Sequence, residues 1–100
     1  MAGNPLETLA KMDPAVMEHL KGEDRFVFAD GALPAKVKLL MAMAFDAAHG
    51  AAEGVGALAQ RAIQAGATKA EVAEAVRVAG HLAGVGAYYT ASRGLKDLAG

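Results

Sequence analysis

The chain has 100 residues, no cysteine, and a formal net charge of −1 with a pI near 6.3. The missing cysteines exclude disulfides, thiolate catalysis and cysteine-ligated metals. Acidic and basic residues are mixed without blocks, so nucleic acid and anionic membrane surfaces are not expected as partners. A domain this short has a marginal core, which favours self-association.

No segment suggests a membrane protein. The stretch 39–59 is apolar, but Asp46, His49 and Glu53 interrupt it, and central charges are costly in lipid. The first twelve residues lack the basic-then-apolar order of a signal peptide, so a cytoplasmic location is expected.

The N-terminal region predicts two helices. Alanine is the commonest residue, at 25 of 100, and this composition favours helix over strand. Asn4, Pro5 and Glu7 have the order of a capping residue, a first-turn proline and an acidic third position. Asp13-Pro14 repeats the cap-and-proline signal and predicts a second, short helix.

A connector and two longer helices follow. The stretch "EDRFVFADGAL", residues 23–33, has no helical period and is interpreted as a connector that ends at Pro34. A helix is predicted from Pro34 to Ala48, then a break near Gly50, then a helix to about Ala65.

The C-terminal third predicts two more helices. "TKAE", residues 68–71, is a capping box that opens a fifth helix to about Leu82. After Gly84 and Gly86, a last helix covers roughly residues 87–98. The prediction is therefore one all-α domain over residues 1–100, a bundle of about five to six helices.

The apolar faces of the two central helices differ. Val55, Leu58, Ala59, Ala62 and Ile63 share one stripe, which predicts a single buried side.

The preceding helix is apolar on two sides, because Val37, Leu40, Met41, Ala44 and Ala48 share one stripe. Leu39 and Met43 lie roughly opposite that stripe, and we expect them to contact another subunit.

The residues also carry a family resemblance. "FADGALPAKVKLLMAMAFDAAHG" followed by "ALAQRAIQAGATKAEVAEAVRVA" resembles the carboxymuconolactone decarboxylase and alkylhydroperoxidase D-like superfamily. The turn "AIQAGATKAEV" is the most specific part. The resemblance covers about residues 26–98 and implies the helical bundle of that superfamily and a homo-oligomer, a trimer or a hexamer.

The same resemblance implies catalytic residues that this chain lacks. In the hydroperoxidase branch a Glu, a C-x-x-C pair and a His form a thiol and proton relay, and these positions fall on Leu39, Ala51, Gly54 and Leu58. The decarboxylase branch also tends to hold a His at the last of these positions. We therefore expect no thiol-dependent peroxidase activity.

Four polar residues remain as candidates for relocated acid–base chemistry. Asp46, His49 and Glu53 are the only ionisable side chains between Lys38 and Arg61, and His81 stands on the fifth helix. Imidazole titrates near neutrality, and a neighbouring carboxylate can fix its tautomer. The alternative is that they form hydrated helix surfaces or intersubunit contacts. A metal site of these residues is the weakest alternative, since the spacing H-x-x-x-E is common in helices.

Two functions stay open on the sequence alone. One is an enzyme with decarboxylase-like or lyase-like acid–base chemistry on a small carbonyl or lactone-type compound. The other is a catalytically silent oligomer that binds a ligand or assists another protein. Neither hypothesis requires a cofactor or a metal.

Overall fold

The structure is a computed structural model that describes residues 6–100. Within that range the chain forms seven helices and no strand, which confirms the all-helical prediction. The predicted cap at Asn4 and Pro5 lies outside the described residues. The helices are α1 (Glu7–Met12), α2 (Pro14–Phe28), α3 (Ala35–Ala48), α4 (Ala52–Gln64), α5 (Lys69–Ala83), α6 (Val85–Gly94) and α7 (Lys96–Ala99).

Two of the predicted helix starts are formed by the expected side chains. Asp13 accepts a hydrogen bond from the backbone N–H of Val16 at 3.2 Å and begins α2. At α5, the Thr68 hydroxyl accepts from the N–H of Glu71 at 3.0 Å, and the Glu71 carboxylate accepts from the N–H of Thr68 at 2.9 Å. Both are local signals, and local signals are readable in a sequence.

The predicted connector over residues 23–33 is wrong in its first half, because α2 continues to Phe28. Lys38 of α3 supports the end of α2 by donating from Nζ to the carbonyls of Val27 at 3.0 Å and Ala29 at 2.7 Å. Cations suit the C-terminal carbonyls of a helix. This support comes from another helix, so no periodicity in the segment itself could indicate it.

The last predicted helix is divided. It begins at Val85, directly after Gly84 with its positive φ of 97°, and it ends at Gly94. A short seventh helix follows Leu95, so the described chain has one helix more than the upper predicted number.

The core lies where α3 packs against α4, α5 and α6. Its largest fully buried side chains are Met43, Val55 and Val72. The predicted stripe of α4 is confirmed: Val55, Ala59 and Ala62 are buried, and Leu58 and Ile63 are half-buried beside them. None of the helices in residues 6–100 combines the length and the apolar character that crossing a bilayer requires.

The predicted orientation of α3 is wrong. Leu39 and Met43, expected at a subunit contact, are 4% and 0% exposed in the single chain, while Met41 is 49% exposed. The buried stripe is Leu39, Met43 and Ala47, spaced i, i+4, i+8. α3 is apolar on both sides, so its own pattern could not identify the side that faces α4, α5 and α6.

The N-terminal pair α1 and α2 contributes no fully buried residue, and α2 is attached through polar contacts and through half-buried Phe28, which packs against the cluster of Leu39, Ala62 and Ala67. Arg61 of α4 donates to both oxygens of Asp24, at 3.0 and 2.8 Å. Its guanidinium also stands 5.0 Å from the ring centroid of Phe28, in cation–π geometry. One arginine thus holds α2 through two different interactions.

The Glu71 carboxylate predicts how stability depends on pH. The N–H of Thr68 and the ammonium of Lys36, 3.1 Å away, lower the pKa of Glu71 below its usual value of 4.5. A lowered pKa gives stability that is fully present above 4.5 and is lost as the pH falls through the folded-state value. Glu71→Gln should therefore lower the urea midpoint at pH 7 and should differ less from wild type near pH 3.

The control for this series is Glu23→Gln, an exposed carboxylate on α2. Urea midpoints of the three proteins measured from pH 7 to pH 3 provide the comparison. A difference between wild type and Glu71→Gln that stayed constant over the whole range would contradict the assignment.

Candidate functional site

An open apolar groove of about 320 Å³ runs between α3 and α5. It is lined on the α3 side by Met41, Ala44, Phe45, Ala48 and His49, and on the α5 side by Val78, Ala79, Leu82 and Ala83. His49 is the only titratable residue in this lining. Grooves of this volume lie at the lower end of the range for small-molecule sites.

His49 is held in one tautomer. It ends α3, and its Nδ1 lies 2.7 Å from the carbonyl oxygen of Phe45. A carbonyl can only accept, so Nδ1 carries the hydrogen and the neutral ring keeps its free lone pair on Nε2. The ring also stacks on that of Phe45, with centroids 6.4 Å apart and planes 18° from parallel. The imidazole is therefore preorganised as a proton acceptor through Nε2.

Asp46 points elsewhere. It is half-buried, and its carboxylate lies against Gly54 of α4, in the space that a side chain at position 54 would occupy. It does not line the groove, and among residues 6–100 no hydrogen bond joins it to His49. The predicted Asp–His pair is thus close in sequence but is not assembled within one chain.

Glu53 and His81 are exposed and lie outside the groove lining. Glu53 stands in the first turn of α4 and His81 in the last turn of α5. The single chain therefore brings only one of the four candidate residues to the groove. In the described part of the chain, no three His, Asp or Glu side chains are grouped closely enough to hold a metal ion.

Several residues that shape the groove were not predicted. Phe45 supplies both the carbonyl and the ring that hold His49, and Leu82 and Val78 form the facing wall. The spacing of Phe45 and His49, i and i+4 on one helix, indicates from the sequence alone that their side chains are in contact. The facing wall required knowledge of how α5 packs on α3.

Comparison with known proteins identifies the family. The sequence profile of the carboxymuconolactone decarboxylase family matches residues 14–97. The chain belongs to that family. Among solved structures, the fold is similar to the apo form of a carboxymuconolactone decarboxylase family protein from Legionella pneumophila. The TM-score is 0.82 and the identity 27%, over 91% of this chain and 81% of the other. The search of curated proteins returned no match.

Within this carboxymuconolactone decarboxylase family member, the positions of the superfamily relay are not arranged for thiol chemistry. Leu39 is buried and Leu58 half-buried, both in the core. At Gly54, the place given to the second cysteine, any β-carbon would collide with the Asp46 carboxylate. A residue other than glycine at position 54 would therefore require the Asp46 side chain to turn away from the place it occupies in this structure.

Proposed function

We propose that this family member binds a compact carbonyl compound of lactone type in the α3–α5 groove and transfers a proton through Nε2 of His49. The carbonyl class rests on the family to which the chain belongs. The position rests on one observation, the hydrogen bond from His49 Nδ1 to the Phe45 carbonyl, which leaves Nε2 as the basic nitrogen of a side chain that lines the groove.

The groove fits such a ligand in size and polarity. Its volume of about 320 Å³ suits a small ring, and its apolar wall suits the hydrocarbon part of such a ring. His49 accepts a proton from the substrate and returns it at a later step, so the ring ends each cycle neutral. Asp46, three residues before His49 on the same helix, does not line the groove and has no part in this transfer.

The decisive variant is His49→Gln, which keeps a polar side chain but removes the base. Turnover of the responsive substrate from a panel of five- and six-membered lactones should fall about 10²-fold or more, while affinity changes little. Unchanged turnover would overturn the role of His49, and a panel with no binder would overturn the lactone class.

The matched control is His19→Gln, an exposed histidine on α2 far from the groove in sequence. It should retain wild-type turnover and affinity. Loss of activity in His19→Gln equal to that in His49→Gln would show that the assay reports a general effect of losing a histidine.

A silent ligand-binding protein is the second candidate, and one observation favours it. The groove lining has a single titratable side chain, whereas acid–base enzymes generally place an acid and a base on the same substrate. Lactone binding without turnover, unchanged in His49→Gln, would support this candidate.

We also propose that the protein is a homo-oligomer, a trimer or a hexamer built from dimers. Support comes from the large apolar side chains left exposed by the single chain, including Phe45 at 65%, Leu82 at 78% and Tyr89 at 64%. Large apolar side chains exposed to this extent favour contact with another subunit.

A further inference from the structure

The α3–α5 groove has two different ends. Its lining comes from the C-terminal halves of both helices, residues 41–49 of α3 and its cap and residues 78–83 of α5. The Lys36–Glu71 ion pair, at 3.1 Å, joins the first turns of the same two helices, so α3 and α5 run in the same direction. One end of the groove therefore lies beside Met41, in the middle of α3, and the other lies beside His49, where both helices end.

The polar side chain of the lining stands at one end only. His49 caps α3, and the other lining residues are Ala, Val, Leu, Phe and Met. Met41 and His49 are separated by eight positions on α3, which corresponds to about 12 Å along the helix axis. A ligand whose carbonyl ring contacts Nε2 of His49 thus has a purely apolar stretch of groove beyond its ring.

The charges around the groove favour an uncharged ligand. Within residues 6–100, the lining includes no Lys or Arg side chain. Lys38 stands one turn before Met41 on α3, but its Nζ donates to the Val27 and Ala29 carbonyls at the end of α2. The C-terminal carbonyls of α3 and α5 add partial negative charge at the His49 end. A carboxylate in this groove would lose water without gaining a cation, which is costly.

We propose that the groove selects an uncharged lactone with an unbranched alkyl substituent, its ring beside His49 and its chain along α3 toward Met41. This inference rests on the proposed function and names its substrate class. A five-membered ring occupies about 5 Å of the groove, and the remaining length accommodates an extended chain of about five carbons. The thioether of Met41 is an adaptable apolar contact for the last of these carbons.

A chain-length series on the wild-type protein is the first test. The ligands are γ-butyrolactone and its γ-alkyl derivatives with one to eight carbons, measured by titration calorimetry. The dissociation constant should fall about two- to threefold for each added carbon up to about five and then stay constant, because each buried methylene contributes favourably. The five-carbon derivative with a carboxylate in place of its terminal methyl group should bind about tenfold more weakly than the alkyl form.

Met41→Lys is the second test, because it places an ammonium group where the alkyl chain ends. Met41 is 49% exposed, so lysine is tolerated there. The variant should bind the five-carbon alkyl lactone about fivefold more weakly and the carboxylate form about tenfold more tightly, with γ-butyrolactone unchanged. Met12→Lys is the matched control, since Met12 is 77% exposed on α1 and does not line the groove. It should leave all three affinities at the wild-type values.

The outcomes separate this inference from the proposed function. Lactones that bind and turn over through His49, with affinities independent of chain length or highest for the carboxylate form, would overturn this inference alone. An equal effect of Met41→Lys on all three ligands would also overturn it, because Met41 would then not mark the end of the chain. Failure of every lactone in the series to bind would overturn the proposed function and this inference together. Circular dichroism and light scattering confirm that both variants fold and assemble as the wild type does.

Discussion

Replacing Met43 by alanine should lower the free energy of unfolding by about 2–5 kcal/mol. Met43 is fully buried at the centre of α3, among Val55, Val72 and Ala87 of the core cluster. Truncation removes buried methylene and thioether groups and leaves a cavity that three surrounding helices cannot close without moving together. In a chain of 100 residues this loss is a large fraction of the total stability.

The matched control is Met41→Ala, two residues away on the same helix. Met41 is 49% exposed, so its truncation should change the unfolding free energy by less than about 1 kcal/mol. Urea unfolding followed by circular dichroism gives both values. Equal losses in the two variants would mean that α3 does not present its Met43 side to the core.

Gly94→Ala should be the second strongly destabilising substitution. A β-carbon on Gly94 would collide with the carbonyl oxygen of Ala52 and would lie 2.9 Å from Val55 Cβ. Facing it, a β-carbon on Gly56 would lie 2.7 Å from the Gly94 carbonyl oxygen. Because the obstacles are mostly backbone, α6 must move away from α4, at an expected loss of about 1–3 kcal/mol or more.

Gly86→Ala is the control, because it tests the same change in the same helix without the contact. Nothing lies within 4 Å of a β-carbon at Gly86, so alanine there should raise stability by about 0.5–1 kcal/mol. Thermal or urea unfolding of both variants gives the comparison. Stabilisation by Gly94→Ala would contradict the close packing of α4 on α6.

The parts of the fold that were predictable from sequence depend on neighbours along the chain. The Thr68–Glu71 capping box and the buried stripe of α4 are formed by residues three or four positions apart in the sequence. The end of α2 and the orientation of α3 depend on contacts with other helices. Lys38 reaches back across about ten residues to support α2, and no local pattern contains that information.

The candidate site divides in the same way. The position of His49 at the end of α3 and its contact with Phe45 follow from i, i+4 spacing. The orientation of the Asp46 side chain does not follow from spacing, because it depends on the close approach of Gly54, which belongs to another helix. A glycine that a sequence pattern assigns to a helix end can instead allow two helices to approach closely. Only the packed structure distinguishes these two roles.

The attachment of α1 and α2 makes the stability of this chain uneven. The bundle of α3 to α6 is held by apolar burial, which salt strengthens slightly. α2 packs half-buried Phe28 against that bundle and is otherwise held by the Asp24–Arg61 pair and by Lys38, whose charges salt screens. Raising the ionic strength therefore acts in opposite directions on the two parts. We therefore expect the N-terminal pair to open at high salt before the helices that form the groove around His49.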